Sequence, residues 1–254
     1  MSRKSHTPED EQYFLVRSLA ARFSNGRSLP SHTHAWGQLI YAASGVTSVQ
    51  TEHGSWVAPP RWAVWAPAGV THAMRFSGST SLETLYLRPD RWDALPSRSG
   101  VITVSPLLRA LIQRAVEIGM LDEREPTHVA MAELIVHELH THPAPGLDLP
   151  LPKGAVLRRV ADHVAETPAD RSSHTELAAR FGIGRRSLER GFEVETGLSL
   201  GRWRRQARLL YALRLLGAGG AVKQVALEAG FQSPSAFVAA FRATLGTTPA
   251  RYFA

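Results

Sequence analysis

Leu177-Ala178-Ala179-Arg180-Phe181-Gly182-Ile183 and Val225-Ala226-Leu227-Glu228-Ala229-Gly230-Phe231 are two copies of one pattern, 48 residues apart. Past the glycine the match resumes at an offset of 49, pairing Leu188 with Phe237, Phe192 with Phe241 and Gly197 with Gly246. Each copy predicts a helix-turn-helix. Ala178 or Ala226 is small where a second helix must pack close, and Gly182 or Gly230 follows where a tight turn favours positive φ. An apolar residue and a helix with an i, i+4 apolar pair come next. Ser233 suits an N-cap, with Pro234 at the first helical position. Gly197, Gly217 and Gly246 each follow a helical run and suit left-handed caps.

Between the copies, Ser199 to Leu216 reads as one continuous helix of roughly 27 Å. With the helix widths added, the two recognition helices are expected about one DNA turn apart, roughly 34 Å. One chain would then enter two successive major grooves. The bland alternative is an all-helical interaction domain. Two in-register repeats joined by an arginine-rich helix argue against it.

Charge supports a polyanionic partner. The formal net charge is +7, with 16 basic and 8 acidic residues from Leu149 onward but 13 and 14 before it. A basic half beside a near-neutral half suggests that one half meets nucleic acid. There is no cysteine, which excludes disulfides, thiolate metal sites and cysteine nucleophiles. No apolar run reaches the roughly 20 residues of a bilayer span. Met1 to Phe23 lacks the apolar core of a signal peptide, so a cytoplasmic protein without membrane contact is expected.

The first half reads as short strands, Gly37–Ala43, Thr47–Thr51, Arg61–Trp65 and Leu82–Leu87, with turn signals at Ser44-Gly45, His53-Gly54, Pro59-Pro60, Pro67 to Gly69 and Ser77-Gly78. Even spacing of many short strands predicts a barrel or sandwich. Helical periodicity begins at Ser105, with Leu107, Leu108, Leu111, Ile112 and Ala115, then Val129, Leu134, Ile135, Glu138 and Leu139 beyond Pro126. The expected fold class is α+β in two domains. A sensor barrel spans 1–98, a helical linking or dimerisation segment 99–142, a proline-rich linker 143–152 and a helical DNA-binding domain 153–254.

Residues from about Val156 to Phe253 resemble the DNA-binding domain of AraC/XylS-family transcription regulators. Leu188 to Leu198, Ala226 to Phe231, Ser233 to Phe237 and Thr248-Pro249-Ala250-Arg251-Tyr252 carry the likeness. The resemblance implies two helix-turn-helix subdomains on promoter DNA. It also implies a homodimer joined through the segments 105–118 and 127–141, whose apolar stripes could equally pack back on the barrel. RNA polymerase would be a partner if the protein activates.

His32-Thr33-His34, Gln38 and Gly45, followed by Pro67-Ala68-Gly69 and His72, resemble the two cupin motifs. Gln38 stands where metal-binding cupins usually carry Glu. This implies a cupin-type β-barrel sensor for a small-molecule or metal effector. His32, His34, Gln38 and His72 could hold a divalent transition ion, since imidazole suits Zn, Ni, Cu or Fe. They could instead line the mouth of the barrel and bind an organic effector or water. Trp36, Trp56, Trp62 and Trp65 cluster in this half, and Trp65 is offered as a stacking residue beside the simpler reading of core packing. The rival function is a cupin metalloenzyme of dioxygenase type with an accessory helical domain. No nucleophilic triad, phosphate loop or paired catalytic carboxylates accompany it. His137, His140 and His142 are read as solvent or dimer-interface residues.

With Leu188 and Phe192 buried, Arg186, Glu189, Arg190 and Glu193 fall on the outer face of the first recognition helix, with Arg185 at its start. Arginine can pair with guanine O6/N7, and Glu can accept from cytosine N4. With Phe237 and Phe241 buried, the second exposes Ser235, Val238, Ala239 and Arg242, and Ser233 begins it. Arg242, Arg204 and Arg205 are expected on phosphates. The dull alternative for each is a solvated charged face.

Overall fold

The computed structural model describes residues 8–141 and 147–253. They form two compact units. The first holds the chain up to Val49 and from Ala58 through the second of its helices. The second holds Gln50–Val57 together with the chain from Leu147 on.

In the first unit, β1 (Phe14–Phe23), β2 (Ser28–His32), β3 (Gly37–Thr51), β5 (Trp62–Ala66), β6 (His72–Leu87), β7 (Gly100–Thr103) and β8 (Met120–Asp122) build the sheet; β4 (Gly54–Ala58) is considered with the second unit. The strand order is β7-β5-β3-β6-β1-β8, with β2 also on β6. The path has two ends among the described residues, so this is a sheet-rich cupin-like domain whose edges stay apart.

Two expected turns are not turns. Ser44-Gly45 lies inside β3 and Ser77-Gly78 inside β6, each a strand of about three times the usual ~5 residues. Gly45 has φ +74, and a Cβ there would stand 2.8 Å from the Thr80 Cα. The glycine lets one long strand bend against its neighbour without ending it.

Helices α1 (Pro106–Ile118) and α2 (Pro126–Thr141) cover one sheet face. Leu108, Ile112, Ala115, Ile135 and Leu139 pack on Leu39, Tyr41, Trp65, Leu85 and Leu87. Full burial of a Leu or Ile contributes on the order of 1.5–3 kcal/mol, so the apolar stripes of both helices are spent chiefly on the sheet. Leu107 and Leu134 are left outward. Ser105 caps α1 by accepting from Leu108 N at 3.0 Å, and its hydroxyl donates to the buried Glu138 carboxylate of α2, joining the helices.

In the second unit, β4 pairs with β9 (Asp148–Pro150) in the register Gly54↔Pro150 and Trp56↔Asp148. Part of the expected linker 143–152 is therefore strand, because its carbonyls have partners: Trp203 Nε1 donates to Pro150 O at 2.7 Å, and Gln206 Nε2 to Asp148 O. Residues 143–146 of that linker, and His142, lie outside the described residues.

Then come α3 (Ala155–Glu166), α4 (His174–Arg180), α5 (Arg185–Thr196), α6 (Leu200–Gly217), α7 (Val222–Glu228), α8 (Pro234–Leu245) and α9 (Pro249–Tyr252). The pairs α4/α5 and α7/α8 are the two helix-turn-helix units, and α6 is the expected connecting helix. The turn glycines have positive φ, +66 at Gly182 and +78 at Gly230. Gly197 and Gly246 are left-handed caps. Gly217 is not, since α6 runs through it and the left-handed residue is Gly219 at φ +88. No described helix is long and apolar enough to cross a membrane.

Candidate nucleic-acid interface and effector pocket

Helix α5 is held firmly on its inner side. Leu188 and Phe192 are fully buried, and Phe192 meets Trp203 of α6 edge to face at 5.5 Å. A Cβ on Gly191 would lie 2.6 Å from Leu157, so the glycine lets α5 press against α3. Glu195 accepts from Lys153 N at 2.7 Å and Gly154 N at 2.8 Å, satisfying two amides that open α3.

On the outer side Arg185, Arg186 and Arg190 are exposed. Arg186 and Arg190 have no side-chain partner among the described residues. Glu189 is committed, accepting from His174 Nδ1 at 2.8 Å and Arg185 Nε at 3.2 Å. The His174 bond first, and Arg185 next, hold its carboxyl below the usual range. Glu193 is exposed.

Helix α8 buries Phe237 and Phe241 and exposes Ser235, Ala239 and Arg242. The Ser233 hydroxyl accepts from Ala236 N at 3.1 Å, so it caps α8 rather than projecting as a reader.

The arginines of α6 divide. Arg205 is exposed without a partner among the described residues. Arg204 is not free to take a phosphate in the same way: Nη1 donates to Ser172 O and Nη2 to Asp170 O, both at 2.7 Å. One turn on, Arg208 donates to Pro168 O at 2.8 Å and Asp170 O at 3.1 Å. Burial pulls both guanidinium pKa values down. Asp170 accepts from Ser172 N and Oγ at 2.7 and 2.6 Å and pairs with Arg180 at 3.1 Å. Burial works to raise its pKa, but these bonds outweigh it and hold the carboxyl well below the usual range. Sequence reading missed this clamp on residues 168–172. The i, i+4 spacing of Arg204 and Arg208 on one helix face was its only signal.

In the first unit, His32 of β2 lies directly across from His72 of β6. Their rings are 4.5 Å apart, and that of His34 is 5.1 Å from His72. Candidate ligand atoms of the three histidines lie within 4.8 Å of one another. Gln38, 2% exposed, joins them, its Oε1 3.0 Å from Nε2 of both His34 and His72. Each imidazole Nδ1 meets a backbone carbonyl, of Pro30, Trp36 and Val70 respectively. A carbonyl only accepts, so Nδ1 carries the proton and the lone pair of each neutral ring is on Nε2. The Thr84 hydroxyl donates to Leu39 O at 2.9 Å, so it must accept from Gln38 Nε2 at 3.0 Å. That fixes the amide with Oε1 toward the histidines. Burial, and then the charges of His32 and His34, lower the His72 pKa, while its Val70 bond opposes them.

Trp65 is not part of this cluster. It pairs with Leu39 across β3 and β5, faces the helix-covered core, and donates from Nε1 to Pro96 O at 2.7 Å. Alternation along the strand puts it on the face opposite Gln38. His137 is exposed on α2, and the His140 side chain lies outside the described residues.

A helix-turn-helix pair joined by a long helix, following in the chain a sheet domain that carries a cluster of three histidines and a buried glutamine, defines a DNA-binding transcription regulator. Residues 16–148 match the AraC-like ligand binding domain and residues 177–254 a helix-turn-helix domain. The chain belongs to the AraC family of helix-turn-helix regulators. It is 33% identical over 225 residues, 89% of this chain and 82% of the relative, to the HTH-type transcriptional regulator NimR of Escherichia coli (strain K12). Among solved structures it is similar to the DNA-binding domain of AdpA in complex with a target DNA, at 35% identity and TM-score 0.37, covering 39% of this chain and 91% of that one. ToxT from Vibrio cholerae is similar at 12% identity and TM-score 0.41, covering 94% of this chain and 98% of that one.

Proposed function

We propose that this regulator reads promoter DNA chiefly through α5, with α8 supplying affinity and register. The observation that carries the reading is the outward pair Arg186 and Arg190, partnerless among the described residues on a helix fixed by Leu188, Phe192 and Gly191. Arg185 orders Glu189 and is placed to meet backbone or base at the helix start. Ser235 is the short polar reader of α8, Arg242 and Arg205 reach phosphates, and Arg204 positions the loop at 168–172. The sensor is assigned to the first unit and DNA binding to the second, which also includes Gln50–Val57 and Asp148–Pro150. Selection from a random duplex library with the full chain tests this. It should enrich a site read at two positions about one helical turn apart. A protein that enriches no sequence sinks the reading.

For the effector, the convergence of Nε2 of His34 and His72 with Gln38 Oε1, three acceptor atoms with no proton between them, favours a bound cation. His32, His34, His72 and Gln38 would hold a divalent transition ion, which would supply positive charge to anchor an anionic or carbonyl-bearing effector. Purified protein should then carry close to one metal per chain by elemental analysis, and His34→Ala should lose it. Metal-free wild-type protein of undiminished thermal stability would favour the organic-effector reading. Leu107 and Leu134, outward on α1 and α2, support a homodimer through those helices. RNA polymerase contact and a cytoplasmic site fit a regulator of this family, and a catalytic role has no support beyond the histidines.

A further inference from the structure

The histidine cluster is assembled without a negative charge, and that sets what it can accept. Among the described residues its candidate metal-ligating side chains are three imidazoles, with no carboxylate in the group. The fourth donor is the Gln38 carboxamide, neutral where a glutamate of the same length would be an anion. Its orientation is fixed. Both protons of Nε2 are committed, one to Thr84 Oγ1 and one to Tyr86 Oη, each at 3.0 Å. Oε1 is thereby held toward His34 and His72. A divalent ion on this set keeps both of its positive charges, beside a His72 and a Gln38 that are buried. An uncompensated charge in such a place is costly, and a bound anion relieves the cost.

Two side chains beside the cluster are equipped for that anion. Tyr86 meets the His34 ring edge-on at 5.2 Å. Its oxygen accepts from Gln38, and its own proton has no acceptor among the described residues. Burial raises its pKa, against the pull of the Gln38 bond, so the phenol is a neutral donor at neutral pH. Arg17 of β1 lies directly across from Tyr86 of β6, and residues opposed in this way share a sheet face. The Arg17 guanidinium rests 4.4 Å above the Trp36 ring, and Trp36 O accepts from His34 Nδ1. One end of that guanidinium pairs with the exposed Glu11 at 3.3 Å, but Nε is buried with no hydrogen-bond partner among the described residues.

Resting on the reading that the histidines hold a divalent ion, we propose that the effector is a small carboxylate, bound to the ion and held by the Tyr86 hydroxyl and the Arg17 guanidinium. Gln38 sets the preference: by staying neutral it leaves the ion a charge for an anion to satisfy. Arginine matches a carboxylate through charge-assisted hydrogen bonds, and the phenol adds one more donor.

The test uses the full chain loaded with cobalt(II), a divalent stand-in whose visible absorption reports a change of ligand. It is titrated with acetate up to about 0.1 M at constant ionic strength. Acetamide, neutral and of the same shape, is the control. Acetate should shift the spectrum saturably and raise the melting temperature, and acetamide should do neither. Gln38→Glu should keep cobalt but weaken acetate by at least about tenfold, because the side chain now supplies the negative charge itself. Tyr86→Phe and Arg17→Met should each weaken acetate about three- to tenfold with cobalt content near that of wild type. Cobalt-loaded wild type that ignores acetate, or takes acetamide equally well, would overturn the proposal and leave the metal reading standing. Unchanged acetate affinity in Gln38→Glu would do the same, as would undiminished binding in both Tyr86→Phe and Arg17→Met. A wild-type chain that takes up no cobalt overturns the metal reading and this proposal with it.

Discussion

The two helix-turn-helix units share a skeleton and differ in skin. Leu188 and Phe192 in one, Phe237 and Phe241 in the other, are fully buried at the same spacing. Both turns are glycines at positive φ, and both second helices end on left-handed glycines. Outside that skeleton they diverge. The outer face of α5 carries three arginines and two glutamates, whereas α8 shows Ser235, Ala239 and a single arginine, Arg242. The entry to α4 is pinned by a capping box of Ser173 and Glu176 and by the Asp170 network. The entry to α7, N-capped by Ala221, has no side-chain cap. A fold that requires only an apolar pair and a turn glycine leaves every outward position free for recognition. One skeleton can therefore be used once for reading and once for holding.

The sharpest way to break this comparison is to cut the skeleton in each unit. Phe192→Ala and Phe241→Ala should each cost about 3–5 kcal/mol in chemical denaturation, alike in both units despite their different surfaces. A cost below about 1 kcal/mol in either would mean that its core is not the shared element. The next effect separates the skins. Arg186→Ala or Arg190→Ala should lose about 1–3 kcal/mol on the selected site and relax preference at one or two base pairs, whereas Arg242→Ala should weaken all sequences alike. If Arg186→Ala is uniform and Ser235→Ala changes the preferred bases, the roles are reversed.

A third effect concerns the 168–172 loop at the entry to α4. Asp170→Asn should cost about 1–3 kcal/mol by stripping charged hydrogen bonds. The folded pKa lies below that of the unfolded chain, so the stabilisation is complete above about pH 4, the unfolded Asp range, and is lost as pH falls toward the folded value. Wild type should therefore lose stability on acidification in that window, and the variant should lose less. Parallel profiles for both would remove Asp170 from the account.

Much of the fold was legible because it rests on local rules. Ser233 caps α8 where the sequence placed it, and the apolar stripes of α1 and α2 are buried at Leu108, Leu111, Ile112, Ala115, Ile135 and Leu139, with Leu107 and Leu134 outside. The two misread turns have one cause. Gly45 and Gly78 carry the dihedrals of turns, yet each sits in a strand that continues, because hydrogen bonding to neighbours distant in sequence outweighs the local turn signal.

By itself the sequence determined the repeat, the turn glycines, the buried apolar pairs and the excess of positive charge, since each follows from spacing along one chain. It also named His32, His34, Gln38 and His72. Only the tertiary structure decided what those side chains face. Strand register brought His32 opposite His72, and strand alternation sent Trp65 to the other side of the sheet from Gln38. Folding of the 168–172 loop onto α6 turned Arg204 inward and left Arg205 outside. An arginine carries its charge wherever it lies, but whether that charge meets a carbonyl or a phosphate depends on partners tens of residues away, which no local pattern encodes.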